Sequence, residues 1–359
     1  MIKKIDIYII KKFLGTFFYA IALLSIIIVI FDISEKVDDF IEKKAPLSEI
    51  IFSYYANFLP FFINLFSPLF TFIAVIFFTS KLARNTEIIA ILSNGISFWR
   101  LLRPYMISAV FIAFLSFYLT NFLIPKTNIN LRDFEIKYLK SSRLIKDQNI
   151  HMQVRPGMFY YVENFNNFTN IGRKFSIENF KDGVLDYKLI ADKIVWDSLS
   201  NRWKIINYYI RTIDGKNETI TKGKEIDTTL NLVPKDFTIN VEDIKTMDYF
   251  QLRTFFNKEK LRGAENIKFY EVEKYKRVSF PFATIILTII GVSLSSRKVR
   301  GGIGMHLGLG IAISFAFILF MQISTVFATA GTLSPFIAVW VPNVLFLILG
   351  LFLLKMAPK

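Results

Sequence analysis

Long apolar runs separated by short charged stretches are the main pattern along the chain. Six runs are each close to 20 residues long, which at a rise of about 1.5 Å per residue crosses the roughly 30 Å hydrocarbon layer of a bilayer. The predicted spans are 13–31, 58–80, 105–124, 278–295, 303–327 and 335–354. Composition agrees, because 53% hydrophobic residues with 39 Phe in 359 residues is more apolar matter than a soluble domain can bury. The pattern predicts an α-helical integral membrane protein with six transmembrane helices.

The segment between the third and fourth spans has a different pattern. Apolar and polar residues alternate in runs such as RKFSIENF and LIADKIVWD, and turn signals such as Asp182-Gly183 separate the runs. This alternation predicts an external antiparallel β domain of sandwich or jelly-roll type. The predicted organisation is transmembrane helices 1–3 in residues 1–125, a β-jellyroll domain in residues 126–262, and helices 4–6 in residues 263–359.

Basic residues set the predicted orientation. The chain has 44 Lys and Arg against 29 Asp and Glu, a formal charge of +15. With six spans, the basic residues of the short loops fall on one side, and the positive-inside rule makes that side cytoplasmic. Both termini are then cytoplasmic, while the β domain and a short acidic loop at 32–57 lie outside. The basic residues flank apolar runs rather than forming a face with interleaved aromatics, which argues against nucleic-acid binding.

The sequence offers little for catalysis. Cys is absent and His occurs only at His151 and His306, which excludes thiol nucleophiles and the usual zinc sites. Neither a Walker A pattern nor a GxSxG elbow occurs, so the chain has neither that nucleotide site nor that serine nucleophile. We therefore expect a protein that is not an enzyme and that binds no metal and no cofactor.

A short helix is predicted at residues 86–94, between the second and third spans. Asn85 or Thr86 can cap its N-terminus, Glu87 suits the helix dipole, and Asn94-Gly95 provides a left-handed stop. Its apolar side chains exclude a freely solvated turn; they are Ile88, Ile89, Ile91 and Leu92. The helix must press against the membrane, against the spans of its own chain or against a partner protein, and the sequence leaves these readings open.

Polar and small residues inside the later spans point to helix packing. Gln322 is costly in lipid and is expected to face the interior of the bundle. The run RGGIGMHLGLG places Gly304 and Gly308 four residues apart, after Gly301 and Gly302 at the entry of the fifth span. This spacing of small residues predicts close helix packing.

Taken together, these features resemble the LptF/LptG permeases of lipopolysaccharide export. The resemblance rests on the IDIYIIKKFL lead, the FDISEK exit of the first span, the EIIAILSNGISFWRL helix, the RKVRGGIG entry of the fifth span, and the β domain between spans three and four. The first-span exit and the SFAFILFMQISTVFATAGTLSPFIAVWVPNVLF pattern look more like LptG than LptF.

The resemblance implies a non-catalytic permease subunit in the bacterial inner membrane. Its implied partners are a second LptF/LptG-like permease, an LptB-like ATPase dimer that binds the ATP and Mg, an LptC-like periplasmic bridge protein, and lipopolysaccharide. The implied ATPase-docking residues are Glu87, Ile88, Ile91, Leu92 and Gly95.

The candidate lipid-binding residues match the family's pattern less well. LptG members often carry a Lys at the outer end of the first span, but IIIVIFDIS has none. The nearest cations are Lys36, Lys43 and Lys44, and with Gln322 they are the candidate lipid-binding residues. Lys36 can alternatively balance Glu35 and Asp39 in a solvated loop. Two other classes also stay open, namely a polytopic secondary transporter and a membrane-anchored envelope assembly or sensor protein without transport activity.

Overall fold

The structure is a computed structural model that describes residues 3–139, 147–166, 168–198, 200–215, 217–230, 232–237, 241–263, 266–297 and 302–357. Contacts divide the described chain into two compact units. A helical unit holds the described residues within Met1–Lys140, Lys245–Tyr249 and Glu271–Lys359, and a β unit holds those within Ser141–Ile244 and Phe250–Tyr270.

The helices are labelled α1 to α8 in chain order. They are α1 Lys4–Glu42, α2 Leu47–Arg84, α3 Glu87–Ser93, α4 Phe98–Tyr138, α5 Tyr249–Arg262, α6 Ile267–Ser295, α7 Gly302–Thr329 and α8 Pro335–Lys355. Six of them, α1, α2, α4, α6, α7 and α8, are long and apolar enough to cross a membrane. The prediction of a helical membrane protein with six spans is confirmed.

Helix α1 is longer than the sequence pattern indicated. The acidic segment that was expected to be a loop continues the helix as far as Glu42. The segment from Asp32 to Glu42 contains neither Gly nor Pro, and Asp32 and Lys36 pair at i,i+4 spacing, which supports helix. The helix ends before Lys44, whose φ of 52° is left-handed.

Helices α2 and α4 each contain a π-helical segment, Ile50–Tyr55 and Leu119–Leu123. Polar side chains join the two helices near the second segment. The Asn64 side-chain amide donates to Thr120 Oγ1 at 2.8 Å, and Ser116 donates to Asn64 Oδ1 at 2.7 Å. Asn64 is 7% exposed, so this part of α2 faces protein, as its polar and proline residues predicted.

The β unit contains one six-stranded antiparallel sheet with strand order β1-β2-β3-β4-β5-β6. The strands are Asp147–Arg155, Met158–Asn166, Ile171–Lys181, Val184–Asp197, Arg202–Asp214 and Asn217–Thr228. The inserted antiparallel β domain is confirmed. Its connectivity is a meander, simpler than the expected jelly roll, because tight hairpins such as Asp182-Gly183 can link only neighbouring strands; both residues there have positive φ.

One face of the sheet is covered by an aromatic core. Trp203 is fully buried and its indole N–H donates to the Leu232 carbonyl at 2.8 Å. Phe165 and Phe237 stack with ring centroids 4.9 Å apart beside it. The core therefore ties the segment after β6 back to the sheet.

A charged cluster joins α5 to the segment after β6. Asp236 accepts from Lys258 at 3.1 Å and from Arg262 at 3.2 Å, and Arg262 also contacts Glu259 at 3.1 Å. Burial raises the pKa of Glu259. Burial opposes ionisation of Asp236 too, but the backbone N–H of Val233 and the Lys258 ammonium hold the pKa of Asp236 below its ordinary value.

Candidate functional site

Helix α3 lies between two spans, at one end of the helical unit. We call this the basic end of the unit, because it carries Lys81, Arg84, Arg100, Arg103 and Lys355. Residues of α1, α2, α4 and α8 near this end meet α3 in one core cluster. The predicted short helix is confirmed, but its first turn lacks the predicted side-chain cap: Thr86 is left-handed, and Asn85 instead donates to the Glu87 carboxylate at 3.2 Å.

The inner face of α3 packs on the chain itself. Ile88 is 1% exposed and belongs to the same core cluster as Phe13 and Phe78. Ile91 and Leu92 are partly buried against that cluster, as expected for positions three and four residues further along a helix. The Ile88 side chain is thus buried by contacts within the chain. It is therefore not free to contact a docking partner, as the prediction for this residue requires.

The outer face of α3 is a different set of residues. Ile89 is 56% exposed, and Ser93 and Gly95 are also exposed, while Glu87 is half-buried at the head of the helix. Gly95 has φ of +78°, the left-handed conformation predicted for the stop. A partner that approached α3 would meet Ile89, one of the apolar residues of the predicted helix.

A buried ion pair beneath α3 was not predicted at all. The two terminal N–H groups of the Arg100 guanidinium each donate a hydrogen bond to one carboxylate oxygen of Asp6, at 2.6 Å. Asp6 is 2% exposed. The sequence did contain a signal that Asp6 is buried, because Asp6 falls on the same helical stripe as Ile9 and Phe13. Its partner could not be identified, since Arg100 is 94 residues away in the chain.

Lys36 lies in a polar cluster formed by α1 and α2 rather than in a solvated loop. Its ammonium contacts Asp32 Oδ1 at 2.6 Å, hydrogen-bonds the Tyr54 hydroxyl, and lies 5.4 Å from the ring centre of Phe58. The Tyr55 hydroxyl donates to the other carboxylate oxygen of Asp32 at 3.1 Å. The charge of Lys36 is balanced by Asp32, and not by Glu35 or Asp39 as the alternative from sequence supposed.

The other candidate lipid-binding residues are exposed and dispersed. Lys43 is 3.7 Å from Glu42. Lys44 lies on the rim of an apolar pocket of about 460 Å³ that α1 forms with the start of α2. Gln322 is exposed on α7, so the expectation that it faces the interior of the bundle is wrong for this chain.

The predicted packing glycines are not where the helices approach closely. A methyl group added at Gly304 or Gly308 would meet no atom of the described residues within 4 Å. Gly302 begins α7, and Gly301 lies outside the described residues. The four-residue spacing in RGGIGMHLGLG therefore does not mark a contact between helices of this chain.

Helices instead approach α2 closely at Gly291 and Gly310. A methyl group at Gly291 would lie 2.9 Å from the side chains of Phe72 and Val75. One at Gly310 would overlap the end of the Ile76 side chain. Gly291 and Gly310 therefore let α6 and α7 pack against α2.

Comparisons with known proteins agree with this architecture. The profile of the family described as "Lipopolysaccharide export system permease LptF/LptG" matches residues 7–356. The chain is also 24% identical over 304 residues to an uncharacterized protein of Aquifex aeolicus (strain VF5), with 81% of each chain covered. The profile match extends over both groups of spans and the β domain between them. The chain therefore belongs to the LptF/LptG family of lipopolysaccharide export system permeases.

Proposed function

We propose that this chain is the permease subunit of an ABC transporter that extracts lipopolysaccharide from the outer leaflet of the inner membrane and passes it to a periplasmic bridge. ATP hydrolysis takes place on a separate LptB-like ATPase dimer, and a second LptF/LptG-like permease completes the membrane unit. The supporting observation is α3, a short helix between two spans that presents an exposed Ile89 at the basic end of a chain from this permease family.

The orientation proposed for this function follows from charge. The basic end faces the cytoplasm, since short loops rich in Lys and Arg stay on that side. Both termini are then cytoplasmic and the β unit is periplasmic. This arrangement puts α3 on the side where ATP is available, and it gives the β unit the task of handing lipid to an LptC-like protein.

Helix α3 has the two faces that such coupling needs. The inner face, through Ile88, is fixed in the core of the spans. The outer face offers Ile89 to an apolar groove of the ATPase and Glu87 to a basic residue at the groove's rim. A movement of the ATPase groove is then transmitted to the spans through the packed inner face.

Copurification with the ATPase tests this proposal. An Arg in place of Ile89 would bury an unpaired charge in the groove, and Glu87→Lys would replace attraction at the rim by repulsion. We expect each variant to insert normally and to lose most of the copurifying ATPase. Leu261→Arg is the matched control, because Leu261 is an exposed apolar residue of the β unit at 78% exposure. Undiminished ATPase with both α3 variants would return α3 to the membrane surface.

The same experiment distinguishes the other two classes of function. A secondary transporter is expected to carry ionisable residues in the middle of its spans and internally repeated broken helices, and the sequence has almost no charge at the span centres. Neither that class nor an envelope assembly or sensor protein requires a nucleotide-binding subunit. Wild-type chain that brings down no ATPase at all would favour them.

A further inference from the structure

In the Asp6–Arg100 ion pair, both oxygens of the buried carboxylate are hydrogen-bonded. Both carboxylate oxygens of Asp6 accept from the Arg100 fork at 2.6 Å, and the backbone N–H of Lys3 donates to Oδ2 at 2.7 Å. Asp6 is almost fully buried, and the Arg100 side chain is 24% exposed. Bidentate charged hydrogen bonds of this kind fix both distance and orientation, which apolar contacts do not.

The pair lies directly beside the candidate docking helix. Asp6 and Arg100 line a cavity of about 40 Å³ together with Ile91 of α3 and Ile96 of the connection from α3 to α4. Arg100 is in the first turn of α4, and Ser97 caps that turn by accepting from the Arg100 N–H. A displacement of α3 therefore reaches the start of α4, and the ion pair is the polar link from there to α1.

Helix α1 is held in the bundle at two places, and its N-terminal half is one of them. Its buried residues follow one stripe at helical spacing, from Asp6 through Ile9, Phe13 and Phe17 to Ile21. The next buried residue is Asp32. Several large apolar residues between Ile21 and Asp32 are exposed; they are Leu23, Ile26, Ile27, Ile30 and Phe31. The N-terminal half of α1 is thus positioned by the contacts of this stripe, whereas Asp32 and Phe40 hold the other end of the helix against Tyr54 and Tyr55.

We propose that the Asp6–Arg100 pair is the joint that makes α1 follow the movement of α3 and α4 when the ATPase acts. This inference rests on the proposed function of α3, and both residues are positioning residues that touch neither ATP nor lipid. The apolar contacts of α1 with α4 permit sliding, because they are non-directional. The forked pair resists sliding, so it converts a shift of α4 into a shift of α1.

Three variants of the full transporter complex test the joint. Arg100→Lys keeps the charge but loses the fork, Asp6→Asn removes the charge, and Asp6→Arg with Arg100→Asp rebuilds the pair in reverse. Arg103→Lys is the matched control, since Arg103 is a neighbouring exposed Arg outside the pair. Each complex is reconstituted with lipopolysaccharide, and copurified ATPase, ATP hydrolysis and lipid released are measured for the same sample.

We expect the two single variants to keep the ATPase and to hydrolyse ATP. Lipid released per ATP should fall about tenfold, the effect of losing one charged hydrogen bond from the coupled state. The reversed pair should recover part of this ratio, and the Arg103→Lys control should keep all of it. A purely structural role would reduce the amount of folded complex without changing the ratio.

Several results would overturn the proposal for the Asp6–Arg100 pair. They are an unchanged ratio in both single variants, no recovery in the reversed pair, or loss of the ATPase in the single variants, which would make the pair part of docking itself. Failure of the proposed function looks different. In that case Ile89→Arg and Glu87→Lys would keep the ATPase, whatever the ion-pair variants do.

Discussion

Lys36 provides the sharpest test of whether a cation that follows the apolar run of α1 serves the fold or the lipid. Its ammonium contacts Asp32 at 2.6 Å, and the Asp32 side chain is only 9% exposed. Lys36→Met would leave that carboxylate with the hydroxyls of Tyr54 and Tyr55 as its remaining donors. Breaking a buried pair by removing one partner costs about 3 to 5 kcal/mol.

This free-energy cost corresponds to a shift in melting temperature. A domain of roughly 200 residues loses about 2 to 4 °C per kcal/mol, so Lys36→Met should lower the thermal midpoint of the purified chain by roughly 10 °C. Asp32→Asn combined with Lys36→Met removes both charges and leaves no buried ion without a partner. We expect the double variant to recover most of the loss, and the difference between the two measures the coupling between the residues.

Lipid-stimulated ATP hydrolysis of the reconstituted complex then separates the two roles. If Lys36 serves Asp32, the double variant should respond to lipopolysaccharide as the wild type does. If Lys36 instead holds a lipid phosphate, the double variant should be stable and still unresponsive. That second result, or a Lys36→Met variant as stable as the wild type, would refute the structural role. Lys36→Glu is less informative, because it places a second carboxylate beside Asp32.

Three further outcomes are expected. In detergent, Gly291→Ala should melt at a lower temperature than Gly304→Ala, because a methyl group at Gly291 meets Phe72 and Val75 of α2 and costs about 1 to 3 kcal/mol of overpacking; equal melting temperatures would contradict the packing. Asp236→Asn should lower the free energy of unfolding of the β unit by about 1 to 3 kcal/mol, measured by near-UV circular dichroism melts. Because the pKa of Asp236 is lowered from 3.8, this stabilisation is present above that pH and is lost as pH falls through the folded pKa, so the melts should converge in acid; a constant gap would contradict this. In a chain without native Cys, a Cys at Asn217 should react with an impermeant thiol reagent from the periplasm and one at Asn94 should not; the reverse pattern would invert the topology.

The spans and the β domain could be predicted because single physical constraints fix their patterns. Hydrocarbon thickness sets the length of an apolar run, and a half-buried strand must alternate. The end of α1 was missed for a related reason, since charged residues such as Asp32 and Glu35 argue against a span but not against a helix. The helix simply continues beyond the apolar run.

The details of the site could not be predicted because they depend on which helix face meets which neighbour. In α3 the apolar residues Ile88 and Ile89 are adjacent and point in different directions, so periodicity does not say which one is buried. Likewise, Gly304 and Gly310 are both glycines of one glycine-rich stretch, but only Gly310 faces α2. Such choices depend on contacts between residues far apart in sequence.

Site-specific photo-crosslinking at Ile89 tests the central claim most directly, that α3 is the docking helix of a permease. A photoreactive amino acid at Ile89 should yield a covalent adduct with the ATPase subunit in intact cells. The same amino acid at Leu47, which is 71% exposed at the opposite end of α2, should not. Lipid adducts in place of ATPase adducts at Ile89, or equal ATPase adducts from both positions, would contradict the account.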